Sequence, residues 1–434
     1  MIQVAINGYF LSIRREGNIL DERIVFHIDV NSAYLSWTAI RMLQLGEITE
    51  DIRTIPSIVG GNRDERHGIV LAKSIPAKKY GIKTGETIVE ALKKCPNLKI
   101  FRPNYKLYIK CSNAMYNLLY EYSPIIQRYS VDEVFMDMSH YKEIYMEKAL
   151  EIKNRIKEEL GFTVNIGIST NKLLAKMASD FNPKDSIHTL FKEDIKDKMW
   201  PLPVEDLFMV GRATKRNLDK LNICTIGDLA NFDLTLLQSV FKSHGKVIYN
   251  YANGIDESLV RKYNYIDVKG IGNSTTIAWD VTTKEEALKV ILSLTESVSS
   301  RLRSNESLCK VVSISIKGFN FEKYIHQKTL ENYTDSTEEI FAELAKAFEE
   351  CWRGEAIRQI GVRVTNLCSN EFFQSSLFDN KTIEKQRALD KTIDSIRNRY
   401  GNNSVIRSTF LHSGIKAING GNGEEDYPMM GSIL

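Results

Sequence analysis

Tyr129-Ser130-Val131-Asp132-Glu133-Val134-Phe135-Met136-Asp137 sets two adjacent carboxylates into a run that otherwise reads as a buried strand. A second intrusion lies well upstream, where Asp29 ends the apolar run Ile24-Val25-Phe26-His27-Ile28. Carboxylates rarely enter apolar, strand-like surroundings unless a cation offsets their desolvation. A bound divalent metal is the candidate. The competing structural reading makes Asp29 a cap of the helix that follows it and Asp132-Glu133 an exposed turn.

The bulk composition leaves room for such a site without naming it. A chain of 434 residues exceeds what one hydrophobic core usually organises, so several domains are expected. With 43% hydrophobic and 26% charged residues, it reads as globular, neither disordered nor membrane-embedded. A net charge of +3 is too close to neutral to argue for nucleic acid, so any basic surface must come from local placement. The six cysteines lie far apart with no C-x-x-C pair, which fits reduced thiols in a cytoplasmic protein. No stretch approaches the ~20 apolar residues of a membrane span, and the N-terminal segment lacks the pattern of an export signal.

Periodicity supplies the frame. Arg23 to Val30 reads as a buried strand and Asn31 to Leu45 as a helix carrying Tyr34 and Trp37. Residues 46–100 read as a small α/β lobe whose strand at 68–72 leads into a short basic helix ending at Gly81. A helix at 105–122, the carboxylate pair, a helix at 146–160 and a strand at 163–169 complete a β-α-β, β-α-β layering. Carboxylates at strand ends and the lack of any G-x-G-x-x-G or Walker A run predict an α+β multidomain protein, not a doubly wound nucleotide fold. Residues 201–256 turn helical, 270–368 alternate cleanly as strands around two helices, and the chain beyond Asn370 reads as a tail with one helix (382–399) and a loose glycine-rich end.

Nucleotidyl transfer uses two divalent ions roughly 3.5–4 Å apart, one activating the attacking hydroxyl and one bridging triphosphate oxygens. Hard oxygen ligands suit Mg2+. Asp29 and Asp132 on adjacent strand ends would bridge both ions, Glu133 would complete the hydroxyl-activating site, and the Val30 carbonyl would add an oxygen.

Three runs, taken in order and spacing, go further: His27-Ile28-Asp29-Val30-Asn31-Ser32-Ala33-Tyr34, the 129–137 stretch, and Asn165-Ile166-Gly167-Ile168-Ser169-Thr170-Asn171-Lys172-Leu173-Leu174-Ala175-Lys176. Together they resemble the palm motifs of Y-family (UmuC/DinB-type) translesion DNA polymerases, with a D-V-N-x-x-Y opening closer to the UmuC-like branch. The resemblance runs from about Ile24 to Phe378. It implies a right-hand polymerase with palm (23–32 and 99–189), fingers (33–98), helix-hairpin-helix thumb (190–262) and a little-finger α/β domain (268–369), flanked by an extension (1–22) and a tail (370–434). It also implies that Asp29, Asp132 and Glu133 are the catalytic carboxylates. Asp137 is expected to be structural.

The same resemblance places Tyr34 beneath the incoming sugar as a steric gate against a 2′-hydroxyl. The triphosphate contacts match less well. Where the family has Tyr and Arg in the fingers, this chain has Ile75 and Lys78 beside Ser74, and a lysine cannot form the bidentate contact of a guanidinium. The family's Lys-Pro pair is inverted to Pro183-Lys184, so Ser74, Lys78 and Lys184 are the expected nucleotide contacts. Lys172 and Lys176, spaced i, i+4 and so on one helix face, are expected at DNA.

Gly211-Arg212-Ala213-Thr214-Lys215-Arg216 reads as a helix-hairpin-helix turn whose backbone amides face phosphate, and the later run through Gly245 strengthens the thumb reading. In the little finger, Val312, Ile314 and Ile316 oppose Ser313, Ser315 and Lys317, while Ile360, Val362 and Val364 oppose Gln359, Arg363 and Thr365. The small polar faces, with Lys317 and Arg363, suit a DNA backbone. Gln374-Ser375-Ser376-Leu377-Phe378 resembles the peptide by which bacterial polymerases attach to the sliding clamp, with Gln374, Leu377 and Phe378 as its contacts.

The expected function is DNA-directed DNA polymerisation across damaged template, at low fidelity and within an SOS-type damage response. The substrates would be primer-template DNA and deoxynucleoside triphosphates, with two Mg2+ ions per site, in a monomer recruited by the clamp. Two alternatives stand beside it. A palm-type nucleotide cyclase would share the strand-end carboxylates but not the thumb, little finger or clamp peptide. A catalytically weak or silent DNA-binding scaffold on the clamp would keep those modules.

Overall fold

The computed structural model describes residues 3–6, 9–12, 23–61, 68–261, 268–371, 381–415 and 417. The described residues fall into two compact units: one up to Ile55 and from Leu107 to Arg261, the other from Pro56 to Lys106 and from Val268 to Ala417. A short antiparallel pair, β1 (Gln3–Ile6) and β2 (Tyr9–Ser12), opens the chain.

At the centre of the first unit lies β3 (Val25–Val30), flanked on both sides by antiparallel strands, β8 (Glu133–Asp137) and β9 (Val164–Ser169). Beyond them, β7 (Ile126–Arg128) pairs antiparallel with β8 and β10 (Ile187–Thr189) runs parallel to β9, giving the order β10-β9-β3-β8-β7. Side chains of a strand alternate between faces. On one face Phe26, Ile28, Met136, Ile166 and Ile168 are fully buried. The other carries His27, Asp29, Glu133, Phe135, Asn165 and Gly167, register partners in adjacent strands.

The helices of this unit are α1 (Ala33–Gln44), α4 (Tyr105–Tyr120), α5 (Tyr145–Arg155) and α6 (Lys172–Ser179). The last lies on the polar face of the sheet. Gly167 lets it approach: a Cβ there would overlap the Ala175 carbonyl oxygen and the Ser179 amide. His27 Nδ1 lies 2.7 Å from Ser179 Oγ, and the Asn165 amide donates to the Ser179 carbonyl at 2.8 Å, so sheet and helix are tied by polar contacts where the glycine brings them close.

Further α-helices of this unit are α7 (Arg212–Asp219), α8 (Ile226–Ala230), α9 (Leu234–Phe241) and α10 (Ser243–Ala252). Leu218, Ile226, Leu229, Leu237 and Ile248 form their core, continuous with Leu173, Leu174 and Met177 of α6. Gly245 is buried where α9 and α10 cross, with the Leu237 carbonyl 2.7 Å from where its Cβ would stand, and its amide donates to the Lys242 carbonyl. The expectation that Gly245 contacts DNA is therefore corrected: the position is glycine for helix packing, and its N–H is already used.

In the second unit, β4 (Ser57–Gly60) pairs antiparallel with β5 (Val70–Lys73) and parallel with β6 (Lys99–Phe101), and α2 (Ile75–Lys79) and α3 (Ile88–Lys94) close a small core of Ile58, Val70, Ala77, Ile82, Ile88 and Ala91. The expected fingers segment, 33–98, thus divides. Its first helix, α1, packs with the first unit, where Trp37 meets Phe162 edge-on and Ile40 lies against Gly161.

The rest of the second unit is a four-stranded antiparallel sheet of β11 (Gly270–Val281), β12 (Ser307–Gly318), β13 (Lys323–Thr334) and β14 (Ile357–Ser369), in the order β11-β14-β12-β13. On its apolar face, α11 (Lys284–Ser304) and α12 (Thr337–Cys351) bury Val312, Ile314, Ile316, Ile360, Val362 and Val364 against Leu294, Val298, Leu344 and Phe348.

The expected tail is also corrected. α13 (Lys381–Tyr400) joins this layer, and Phe410, Ile415 and Ala417 enter its core. Buried ion pairs hold it: Arg303 to Asp390 at 3.3 Å and Asp394 at 2.6 Å, Arg387 to Asp335 at 2.7 Å, and Arg397 to Glu296 at 2.5 Å. A polar helix reads as tail in a sequence because partners so distant in the chain cannot be seen there. The clamp-peptide residues Gln374, Leu377 and Phe378, and the end expected to be loose, lie outside the described residues.

Candidate active site

Asp29 sits at the end of β3 with Glu133 and Asn165 as register partners on either side. Such directly opposed residues hold their Cβ atoms roughly 4.5–5.5 Å apart. The Val30 amide donates to the Asp132 carbonyl at 3.1 Å, so the first and second carboxylate motifs meet backbone to backbone. Burial, followed by the charges of Glu133 and Asp132, pushes the Asp29 carboxyl up to about 8, and Asp180 adds to the repulsion. Burial likewise raises Glu133, against the pull of Lys176. Partly buried oxygen donors repelling one another are the electrostatic signature of a cation site.

The side chains as placed have protein partners. Glu133 Oε1 accepts from the Lys176 ammonium at 2.8 Å, and Asp132 Oδ1 accepts from Ser130 Oγ at 2.5 Å. Among the described residues no three His, Cys, Asp or Glu side chains stand close enough together to make a metal-ligand group. Chelation of a shared cation by Asp29, Asp132 and Glu133 therefore requires side-chain rotation away from Lys176 and Ser130. The carboxylate oxygens and backbone carbonyls at this strand end are hard donors, which fit a hard divalent ion. Asp137 accepts from the Ser139 amide at 3.0 Å and serves as a turn cap, as expected.

Lys176 departs from its expected place at DNA. It is buried, its ammonium lying 5.2 Å from the Tyr129 ring centre and 5.5 Å from that of Phe208, and it faces Glu133 instead of solvent. Packing against the sheet turned that helix face inward. Lys172 is half-buried, 3.3 Å from Gln127 Oε1 and 5.8 Å from the Phe135 ring centre.

Tyr34 is half-buried on the first turn of α1, its ring stacked on Tyr108 at 4.5 Å and 9° from parallel. Thr38 Oγ1 donates to the Tyr34 carbonyl at 2.7 Å and lies 2.9 Å from the Tyr108 hydroxyl, which fixes the stack from below. Tyr108 carries no motif signal. Only its position one helix turn past the start of α4 places it there.

Of the expected nucleotide contacts, Ser74 is corrected to a structural role. It is buried as the N-cap of α2, its Oγ accepting from the Ala77 and Ser57 amides, each at 3.1 Å. Ile75 and Lys78 are exposed one helical turn apart on α2. Lys184 Nζ lies 3.3 Å from the Asp180 carbonyl and 3.4 Å from that of Ser179, at the C-terminal end of α6, where a cation complements the helix dipole.

Gly211 precedes α7 as its N-cap, and both it and Arg212 beside it are exposed. The run Asn253-Gly254-Ile255-Asp256 does something the sequence did not show: Asp256 accepts from the Leu173 amide at 3.1 Å and the Gly254 carbonyl accepts from Asn171 at 2.9 Å, capping the start of α6. In the second unit, the face opposite the helices carries Ser313, Ser315 and Lys317 of β12 beside Arg363, Gly361 and Gln359 of β14. On it Arg363 is exposed, and Ser313, Ser315 and Lys317 are half-buried.

The impB/mucB/samB family model matches residues 28–180, and the model of that family's C-terminal domain matches residues 268–377. A DNA polymerase-iota thumb-domain model matches residues 205–256. The chain is 50% identical to the DNA polymerase IV of Clostridium acetobutylicum over 90% of its own length and 98% of the relative's. It is 38% identical to that of Acetivibrio thermocellus, with the same coverage of both chains. Among solved structures, a chimeric Y-family DNA polymerase superposes with a TM-score of 0.67 at 20% identity, covering 80% of this chain and 100% of the other.

Proposed function

This chain belongs to the impB/mucB/samB family of Y-family DNA polymerases, and from that premise we propose that its translesion DNA synthesis runs by two-metal nucleotidyl transfer at Asp29, Asp132 and Glu133. The observation that carries the proposal is the pairing of Asp29 with Glu133 across two antiparallel strands, with the Asp132 backbone bonded to the same strand end and the Asp29 carboxyl pushed up to about 8 by burial and by those neighbours. Bound Mg2+ would supply activation of a primer 3′-hydroxyl and charge neutralisation at the triphosphate.

The protein's own contributions are positional. Asp29, Asp132, Glu133 and the Val30 carbonyl offer the oxygens, and Asn165 ties the strand end beside Asp29 to the end of α6. The Tyr34 ring, set on Tyr108, is the wall on which the deoxyribose rests. Lys78 and Lys184 are the cations proposed for triphosphate, without the bidentate grip of an arginine.

We assign the five-stranded sheet as palm, the three-stranded sheet as fingers, α7–α10 as thumb, and the four-stranded sheet with its helices as little finger. Primer-template DNA then contacts the Gly211-Arg212 turn and the Lys317-Arg363 face, with affinity that falls as salt rises. Among the described residues no helix is long and apolar enough to cross a membrane. A cytoplasmic monomer of low fidelity, recruited to the sliding clamp through Gln374, Leu377 and Phe378, completes the reading.

The test is Mg2+-dependent primer extension on undamaged and abasic templates, comparing the parent with Asp132→Asn. Extension by the parent and its loss in the variant, with DNA binding kept, is the expected result. Equal extension by both proteins would overturn the assignment of the site.

A further inference from the structure

We propose that Lys176 is a built-in competitor for the metal site, setting its cation affinity by holding the Glu133 carboxylate; the inference rests on the two-metal reading above. Its ammonium occupies Glu133 Oε1 at 2.8 Å, so that oxygen cannot serve the lysine and a chelated cation in full at once. The pair is withdrawn from water, with side-chain exposures of 11% for Lys176 and 18% for Glu133, where an ion pair is screened far less than at a surface. The Tyr129 and Phe208 rings, edge to face with centres 6.1 Å apart, give the ammonium a cation–π hold on its other side.

The Tyr129 hydroxyl is neutral at its ordinary value, and burial with the Glu133 charge pushes it further up, to about 12, so the cage itself adds no charge. Phe208 comes from the loop before α7 and stacks in turn on Tyr251 of α10. The lysine is therefore fixed from sheet, helix and thumb together. A solvated DNA contact would be held by none of these.

The consequence is a carboxylate cluster that binds a divalent ion weakly by itself. Tight loading then depends on the further oxygens that a nucleotide triphosphate brings, which couples cation binding to substrate binding. Lys176 acts here through Glu133 and is a positioning residue.

The experiment measures Mn2+ alone binding to the full chain, without DNA or nucleotide, by loss of the free-ion electron paramagnetic resonance signal. The proteins are the parent, Lys176→Met, Lys176→Gln, Lys176→Arg and Asp132→Asn. Met keeps the apolar stem between the rings and Gln keeps a hydrogen bond to Glu133, so at least one neutral variant should retain the native circular dichroism. Removal of a close charge partner predicts Mn2+ binding tightened by about tenfold or more in the neutral variants and unchanged in Lys176→Arg.

Folded neutral variants that bind Mn2+ no more tightly than the parent, while Asp132→Asn loses binding, would overturn the competitor role and leave the metal site standing. Parent and Asp132→Asn binding alike would instead remove the metal-site reading, and this inference with it.

Discussion

The rings of Tyr34 and Tyr108 lie 4.5 Å apart and 9° from parallel, with Thr38 bonded to both residues. A wall that discriminates against one hydroxyl must not yield, and a stacked ring is stiffer than a ring on solvent. Tyr34→Ala is expected to raise ribonucleotide incorporation relative to deoxyribonucleotide by at least about tenfold. Tyr108→Leu, which leaves Tyr34 in place but unsupported, should raise it in the same direction by less. Single-nucleotide insertion kinetics with matched ribo- and deoxyribonucleotides would check both, and unchanged discrimination in Tyr34→Ala would remove it from the gate.

Gly167 is where α6 meets the sheet, and the three atoms a methyl would meet first are all backbone. Gly167→Ala is expected to destabilise the protein by about 3 kcal/mol, a value reached only when a core contact cannot relax. Denaturant unfolding gives the number. A loss below about 1 kcal/mol would mean that the helix can shift away from the strand.

Asp29 is partly buried beside like charges, and burial with those charges pushes its carboxyl up to about 8. Asp29→Asn should abolish primer extension and, in the presence of a chelator, stabilise the protein by about 2 kcal/mol. Stabilisation without loss of activity, or the reverse, would separate the two properties that the geometry joins.

Glu296 carries the opposite sign. Burial alone would raise its carboxyl, but hydrogen bonds from Arg397 and Arg407 outweigh burial and hold it below the ordinary 4.5. Above that value the unfolded chain and the native one are both ionised and the stabilisation is complete. As pH falls through it, the unfolded chain takes up a proton first and the stabilisation drains away. Calorimetry should show the melting temperature falling between about pH 5 and pH 3, with a shallower fall in Glu296→Gln. Arg397→Met, which leaves the buried carboxylate to Arg407 alone, should cost about 2 kcal/mol at neutral pH.

The peptide around Phe378 supplies the last test. Leu377→Ala with Phe378→Ala should weaken binding to an isolated sliding clamp by about a hundredfold, as expected for two anchors of one pocket, and leave clamp-free primer extension untouched. Intact clamp binding by the double variant would refute the recruitment reading.

What could be read in the chain alone was whatever local pattern encodes. Strand alternation in β12 and β14, the helix caps, and the intrusion of Asp29, Asp132 and Glu133 into apolar runs all depend on neighbours within a few residues, and they carried the α+β reading and marked the carboxylates as candidates. The tertiary structure decided everything that depends on which faces meet. It turned Lys176 inward to Glu133, made Gly245 a packing residue and Ser74 a cap, set Tyr108 under Tyr34, and drew α13 out of a supposed tail through ion pairs to Arg303 and Glu296. The physical reason is one of range. Backbone preference and periodicity act along the chain, whereas charge pairing, ring stacking and close helix approach act across space between residues that the sequence leaves far apart.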